Sequence, residues 1–396
     1  MKIGVLSHYH NTTNYGGALQ AYALCKVLND MGYDSEQIDA DCFAECTDLS
    51  RQVSKANKIT FSAKKILRVF KPVYRAINSL KFRKDRELRK KLQASFRDFN
   101  ENLIPHSDKQ YDSTTINNTL DIYDVFIVGS DQVWNPIWYF EPFFLTFVPK
   151  GVPKLSYAAS ISQPSLADNV KRIYKEHLKD FSAISVREKS AVDLLSGLSD
   201  KKIEHVLDPV LLPERECWEN VTSERYTDAP YVFCYFLGSD SEVRNIAKEY
   251  AKSRGFKLIN IKHAAGNYHA SDINYGDISP DAPSPSEFLS LIKYADTVFT
   301  DSFHASVFSF IFKRQFFVFE RTGYKSMSTR ITSLMSLFET ENRFCDIAGR
   351  KTFAYISSQN PIDYEKNFNG FETMRNNSLN FLRSNLNEAE KKVKKK

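Results

Sequence analysis

The sequence predicts an α/β protein of two Rossmann-like, doubly wound domains facing across a cleft, and three observations carry that expectation. Short apolar runs of strand type alternate with helical stretches in both halves of the chain. The length of 396 residues exceeds one ordinary core and makes two domains of roughly 200 residues the natural division. Several strands also end in Gly, Ser, Asp or Asn turns that open a helix, and open α/β sheets bind ligands at that edge.

The first unit starts with the buried-strand pattern Lys2 to Ser7. A polar loop from His8 to Tyr15 follows, then Gly16-Gly17 and a helix from Ala18 to Met31, with Gly32 placed to cap its end. A strand ends near Ile38-Asp39, and a basic helical segment covers about 58–100. The strand Asp124 to Val128 runs into Gly129-Ser130-Asp131, and further strands are expected at Lys154 to Ala159, Ala183 to Val186 and near His205 to Leu207. Asp208 to Pro213 reads as a linker. The second unit comprises the strand Tyr231 to Leu237, the helix Ser241 to Arg254, the stretch Phe256 to Ile261, the helix Ser284 to Tyr294, a strand-helix unit around His304, and Gln315 to Phe319. The expected domains are therefore 1–208, with a basic insertion at about 51–100, and 209–370. A C-terminal helix and basic tail, 371–396, is expected to pack back on the first domain.

Charge is unevenly spread. Residues 51–91 hold 15 Lys/Arg against Asp85 and Glu87, so with a chain total of +6 the remainder is −7. A basicity confined to one segment argues against a nucleic-acid-binding protein. The same segment carries Ile59, Phe61, Ile66, Leu67, Val69, Phe70, Val73, Tyr74, Ile77 and Leu80 among its cations, a pattern suited to lying on an anionic membrane surface, or to a solvated helical excursion. The cysteines at 25, 42, 46, 217, 234 and 345 lack metal-site spacing and read as free thiols. Met1 to Leu6 reads as a strand and not a signal peptide, and the apolar runs are far below the ~20 residues of a membrane span. A cytoplasmic protein, with peripheral contact at the inner face of the cell membrane, is the expectation.

Thr297 to Thr300 is a β-branched burst that stops at Asp301-Ser302, residues that cap helices, and His304 falls in the first turn beyond. A histidine there could move protons beside an anion held at the helix N-terminus, or be a satisfied buried side chain. Arg187, at the end of another strand, offers a fork for carboxylate or phosphate, with pairing to Glu188 as the alternative. Asn14-Tyr15-Gly16-Gly17 lacks the G-x-G-x-x-G spacing of a dinucleotide site and reads as a cleft-lining loop or a tight turn. Asp39-Ala40-Asp41 matches the D-x-D of metal-dependent sugar transferases, and helix-cap chemistry explains it equally well. Gly129 to Pro136 combines the Asp131 carboxylate, amides and the Trp134 indole, which suits a sugar, or a turn held by Asp131. Arg321, Lys325 and Arg330 form a basic cluster after the next strand.

Asn14-Tyr15-Gly16-Gly17-Ala18-Leu19-Gln20, Gly129-Ser130-Asp131-Gln132-Val133-Trp134-Asn135-Pro136, Ser185-Val186-Arg187-Glu188 and Thr300-Asp301-Ser302-Phe303-His304-Ala305, in this order, resemble the polysaccharide pyruvyl transferases. The resemblance implies a GT-B-like fold, phosphoenolpyruvate as donor, no further cofactor, and a sugar of a cell-surface polysaccharide precursor, often lipid-linked, as acceptor. It implies that Arg187 and His304 are catalytic and that Arg187, Lys325 and Ser302 surround the donor, with Arg330 in reserve. Ser302-Phe303 stands where many relatives carry Arg-Leu, which leaves the identity of the second donor cation open. Asn14, Tyr15 and Asp131 are expected on the acceptor side, and no metal is called for because side chains supply the positive charge. A sugar-nucleotide glycosyltransferase of the same architecture would often carry two glutamates eight apart, which Glu287, Glu320, Glu339 and Glu341 do not form. A non-catalytic membrane-associated scaffold of glycan assembly is the other competitor.

Overall fold

The computed structural model describes residues 1–41, 45–49, 71–262, 270–321, 325–346 and 349–395, and for 71–86, 270 and 325–329 the backbone alone. The first sheet is built from β1 (Lys2–Leu6), α1 (Tyr15–Asp30), β2 (Asp34–Gln37), α2 (Lys71–Leu103), β3 (Val125–Val128), β4 (Lys154–Ala159), α3 (Asp168–Leu178), β5 (Ala183–Val186), α4 (Lys189–Ser196) and β6 (Ile203–His205). Its strands are all parallel, in the order β2-β1-β3-β4-β5-β6. The second contains α5 (Arg215–Glu219), β7 (Tyr231–Tyr235), α6 (Ser241–Arg254), β8 (Lys257–Asn260), α7 (Pro285–Lys293), β9 (Thr297–Thr300), α8 (Phe303–Ile311), β10 (Gln315–Phe319), α9 (Lys325–Leu337), β11 (Phe344–Cys345), α10 (Phe353–Ser358) and α11 (Asn369–Val393). It too is parallel, in the order β11-β10-β9-β7-β8.

The strands follow from their composition. Val125–Val128 and Thr297–Thr300 are buried at every position, as parallel strands covered on both faces require. Helix starts follow local capping chemistry: Ser284 and Glu287 form a reciprocal capping box with Pro285 in the first turn, and Asp240 caps α6. Gly255 ends α6 with φ +67°, where a side chain would be strained.

Three sequence expectations change. Helix α1 begins at Tyr15 and not Ala18, because the Asn14 carboxamide accepts from the amides of Gly16 and Gly17 and so draws both glycines into the helix. Asp208 to Pro213 is no exposed linker: Pro209–Leu211 is a buried turn of 3-10 helix capped by the Asp208 side chain and packed against α1. Trp134 is fully buried, stacked on Phe144, with its indole N–H donating to the Phe143 carbonyl, so it presents no face to a sugar.

The basic helix runs from Lys71 to Leu103; residues 50–70, Cys42 and the side chains through 86 lie outside the described residues, and the apolar pattern of 59–80 with them. The C-terminal helix crosses back to the first sheet. Ser378 accepts from the Leu207 amide, Phe381 packs on Tyr157, and Tyr33 reaches Asn387. Among the described residues no helix is long and apolar enough to cross a membrane.

Candidate active site

Strand order reverses between β1 and β3 in the first sheet and between β7 and β9 in the second. At such switch points the loops at the carboxyl ends of the strands diverge and leave a crevice. The loops after β1, β3, β5, β7 and β9 line one cleft of about 860 Å³, open to solvent, which includes Asn14, Asp131, Arg187, Ser302, His304 and Arg330.

Helix α1 closes the floor. Tyr15 stacks on Phe288 of α7 at 4.2 Å between ring centroids, and its hydroxyl donates to the Pro283 carbonyl. Gln20, wholly buried, donates to Ser7 and to the Gly17 carbonyl and accepts from the Ser130 amide, so the loops after β1 and β3 are tied to one side chain. Gly16 is required by close approach: a Cβ there would lie 2.0 Å from His304 Nδ1. The Asn14 carboxamide and Tyr15 hydroxyl, expected on the acceptor side, line the cleft with these partners already engaged.

At the centre is Asp208. Its Oδ2 accepts from Arg187 Nη1 at 2.7 Å and from Ser130 Oγ at 3.2 Å, and it stands 3.8 Å from His304 Nε2, outside hydrogen-bond reach but within ion-pair range. Burial acts to raise its pKa, yet His304 and Arg187 together hold the carboxyl below the ordinary carboxylate value. In the sequence the residue falls in the stretch that reads as a linker. Its available sequence signal was the Asp-Pro pair opening a turn just after β6.

Arg187 is 7% exposed and ringed by acids, with Glu188 Oε1 3.6 Å from Nε and Asp131 Oδ1 3.7 Å from Nη2. Against its burial, Asp208, Glu188 and Asp131 raise the guanidinium pKa further above its ordinary value. Its guanidinium carbon also sits 5.0 Å from the centre of the Phe303 ring. Arg330 is as buried and less well paired: Nη1 is 4.0 Å from Glu188 Oε1, and Nε has no hydrogen-bond partner. Burial first, then the Arg187 charge, pushes its pKa down to about 10, so it remains a cation at neutral pH. Lys325 opens α9, with its side chain outside the described residues. Arg321, third of the basic cluster, is turned to Asp301.

Ser302 is the N-cap of α8 but makes no side-chain cap bond; its amide donates to Thr300 Oγ1. Asp301 instead accepts from the amides of Leu237 and Gly238, which fastens the loop after β9 to the loop after β7. The cleft thus gathers Arg187 and Asp131 from the first sheet and Ser302, His304 and Arg330 from the second half. Glu287 is engaged in the capping box of α7.

Known proteins agree with this architecture. The S. aureus MnaA–UDP co-structure is similar at TM-score 0.51 and 11% identity, over 98% of this chain and 96% of that one. Anabaena Alr3699/HepE in complex with UDP and glucose is similar at TM-score 0.50 and 10% identity, over 99% of each chain. At such identities the likeness shows the fold alone, two Rossmann-like domains in a GT-B-like arrangement. None of the curated protein sequences matches the chain. The family model of the polysaccharide pyruvyl transferases, however, matches residues 14–323, from the Asn14 helix cap through Asp131, Arg187 and His304, and the chain belongs to that family.

Proposed function

We propose that the protein transfers the pyruvyl group of phosphoenolpyruvate onto two hydroxyls of a sugar in a cell-surface polysaccharide precursor, forming a pyruvate ketal and releasing phosphate. The observation that carries this reading is the convergence of Arg187, Arg330 and His304 in one cleft between the sheets. The donor has two anionic groups, and partly dry cationic walls hold such a molecule far better than water-exposed ones.

In the reaction, C3 of phosphoenolpyruvate takes a proton and the first sugar hydroxyl adds at C2, losing its own. The C2–O bond to phosphate then breaks, and the second hydroxyl closes the ketal, its proton leaving with phosphate. His304 is the acid and base for these transfers, since an imidazole both gives and accepts protons near neutrality. Asp208 Oδ2 faces its Nε2 across 3.8 Å. Arg187 takes one anionic group of the donor. Arg330, with Nε unpartnered, takes the other, with Lys325 at the start of the same helix and Ser302 adding the amide-rich start of α8. We assign the acceptor side to Asp131 and the Asn14-Tyr15 turn, which line the same cleft. A lipid-linked acceptor would be met at the inner face of the cell membrane, with residues 51–91 against the anionic surface.

The test is phosphate release from phosphoenolpyruvate with a panel of lipid-linked and nitrophenyl hexosides. Sugar-dependent release is expected, and His304→Ala should abolish it. A melting-temperature rise with UDP-sugars and none with phosphoenolpyruvate would instead indicate a sugar-nucleotide transferase.

A further inference from the structure

Glu188 stands at the N-cap of α4, yet its side chain makes no cap bond. The carboxylate is buried against the cleft arginines instead. Its Oε1 accepts from Ser160 Oγ and lies 3.6 Å from Arg187 Nε and 4.0 Å from Arg330 Nη1. One oxygen therefore faces both guanidinium groups, which reach the cleft from opposite halves of the molecule. Ser160 is itself fixed. It follows β4 directly, is wholly buried, and its amide donates to the Asp131 carbonyl at 2.9 Å.

Two buried cations in one cleft repel each other, and burial disfavours each of them. Arg187 has Asp208 at 2.7 Å as its nearest counter-charge. Among the described residues, Glu188 is the one acid within ion-pair range of Arg330. Burial and the Arg187 charge act against the Arg330 cation, and the Glu188 charge acts for it. Phosphoenolpyruvate carries its carboxylate and its phosphate ester oxygen on the same carbon, C2, so its two anionic groups keep a narrow range of separations. Two arginines that take both need a matching separation, and a pair set beforehand avoids the ordering that binding would otherwise cost.

We propose that Glu188 is a positioning residue for the donor: pinned by Ser160, its carboxylate sets Arg187 and Arg330 at the separation that one phosphoenolpyruvate bridges. The role rests on the pyruvyl-transfer reading. Its sign separates it from simple electrostatics. A carboxylate beside an anion site repels the anion, so removing a mere bystander would tighten every anionic ligand. Removing the residue that spaces the pair loosens the ligand that spans both arginines and spares ligands that need only one.

The experiment is titration calorimetry of the full chain with phosphoenolpyruvate, inorganic phosphate and pyruvate, the last two each offering one of the donor's anionic groups. Glu188→Gln keeps the size of the side chain and an acceptor for Ser160 while it removes the charge. It should weaken phosphoenolpyruvate by about tenfold or more, the advantage of two linked contacts, and leave phosphate and pyruvate within about threefold of the wild type or tighter. Ser160→Ala leaves every charge in place and frees the carboxylate. The same pattern is expected there with a smaller loss, and this variant decides the matter if Glu188→Gln does not fold. Unchanged or tighter phosphoenolpyruvate binding would overturn the role. So would an equal loss for all three ligands, which marks a cleft that has lost its structure and not its spacing. A wild type that does not bind phosphoenolpyruvate would remove pyruvyl transfer and this role with it, whereas wild-type binding with an indifferent Glu188→Gln removes the role alone.

Discussion

Gly16→Ala tests whether His304 is held where the cleft needs it. The added methyl would stand 2.0 Å from Nδ1, 2.3 Å from Cε1 and 2.7 Å from Cγ, far inside van der Waals contact. The imidazole has little room to retreat, with Phe303 edge-on at 5.2 Å and Asp208 facing Nε2. The alternative is for α1 to move from α8, which would open the Tyr15–Phe288 stack and the bond to Pro283. Overpacking of this kind costs about 1–3 kcal/mol, and the better helix propensity of alanine returns at most ~1 kcal/mol. A net loss of about 1–2 kcal/mol should lower the melting temperature by roughly 2–4 °C. The assay is calorimetry on the wild type, Gly16→Ala, His304→Ala and the double variant. With the imidazole gone the methyl has space, so the double variant should recover the loss, a coupling of about 1–2 kcal/mol. If Gly16→Ala raises the melting temperature equally in both backgrounds, helix propensity explains everything and His304 does not rest on Gly16.

Asp208→Asn leaves the Arg187 guanidinium buried without its closest counter-charge, and urea unfolding should show a loss of about 3 kcal/mol or more; a change below ~1 kcal/mol would mean that Asp131 and Glu188 suffice. Arg330→Met should abolish the rise in melting temperature given by phosphoenolpyruvate, and an undiminished rise would remove Arg330 from the donor site. The Asp39 hydrogen bond raises the His10 pKa above 6.5. Its contribution to stability is therefore complete below pH 6.5 and is lost as pH climbs through the raised value. NMR titration should show that elevated midpoint fall in Asp39→Asn, and an unmoved midpoint would refute the pairing. Flotation with anionic vesicles should weaken when Lys64, Lys65 and Arg68 are replaced by glutamate, whereas unchanged flotation would dissociate residues 51–91 from the membrane.

The alternation of strands and helices was legible because its causes are local. Continuous apolar runs mark strands covered on both faces, as at Val125–Val128, and Asp240, Ser284 and Gly255 announce helix ends within a few residues. The position of His304 after β9 and of Arg187 after β5 came from the same rules. Asn14 shows their limit: its side chain recruits the two following glycines into α1, so a residue that reads as loop chemistry starts the helix instead.

What only the tertiary structure decided is which side chains share a space. Asp208 looks like a linker residue because its apolar, proline-flanked surroundings describe a turn, while its role comes from Arg187 and His304, brought from separate elements. Trp134 could have faced a sugar, and Phe144 and Phe143 claim it instead. Glu188 reads in the sequence as a partner for Arg187, and its carboxylate meets Arg330 as well only because α9 comes across from the second half. Local propensity acts over a few residues, so it writes the elements into the sequence. Charge pairing and burial act through space at a few ångströms, and they arise only once the two sheets have closed on each other.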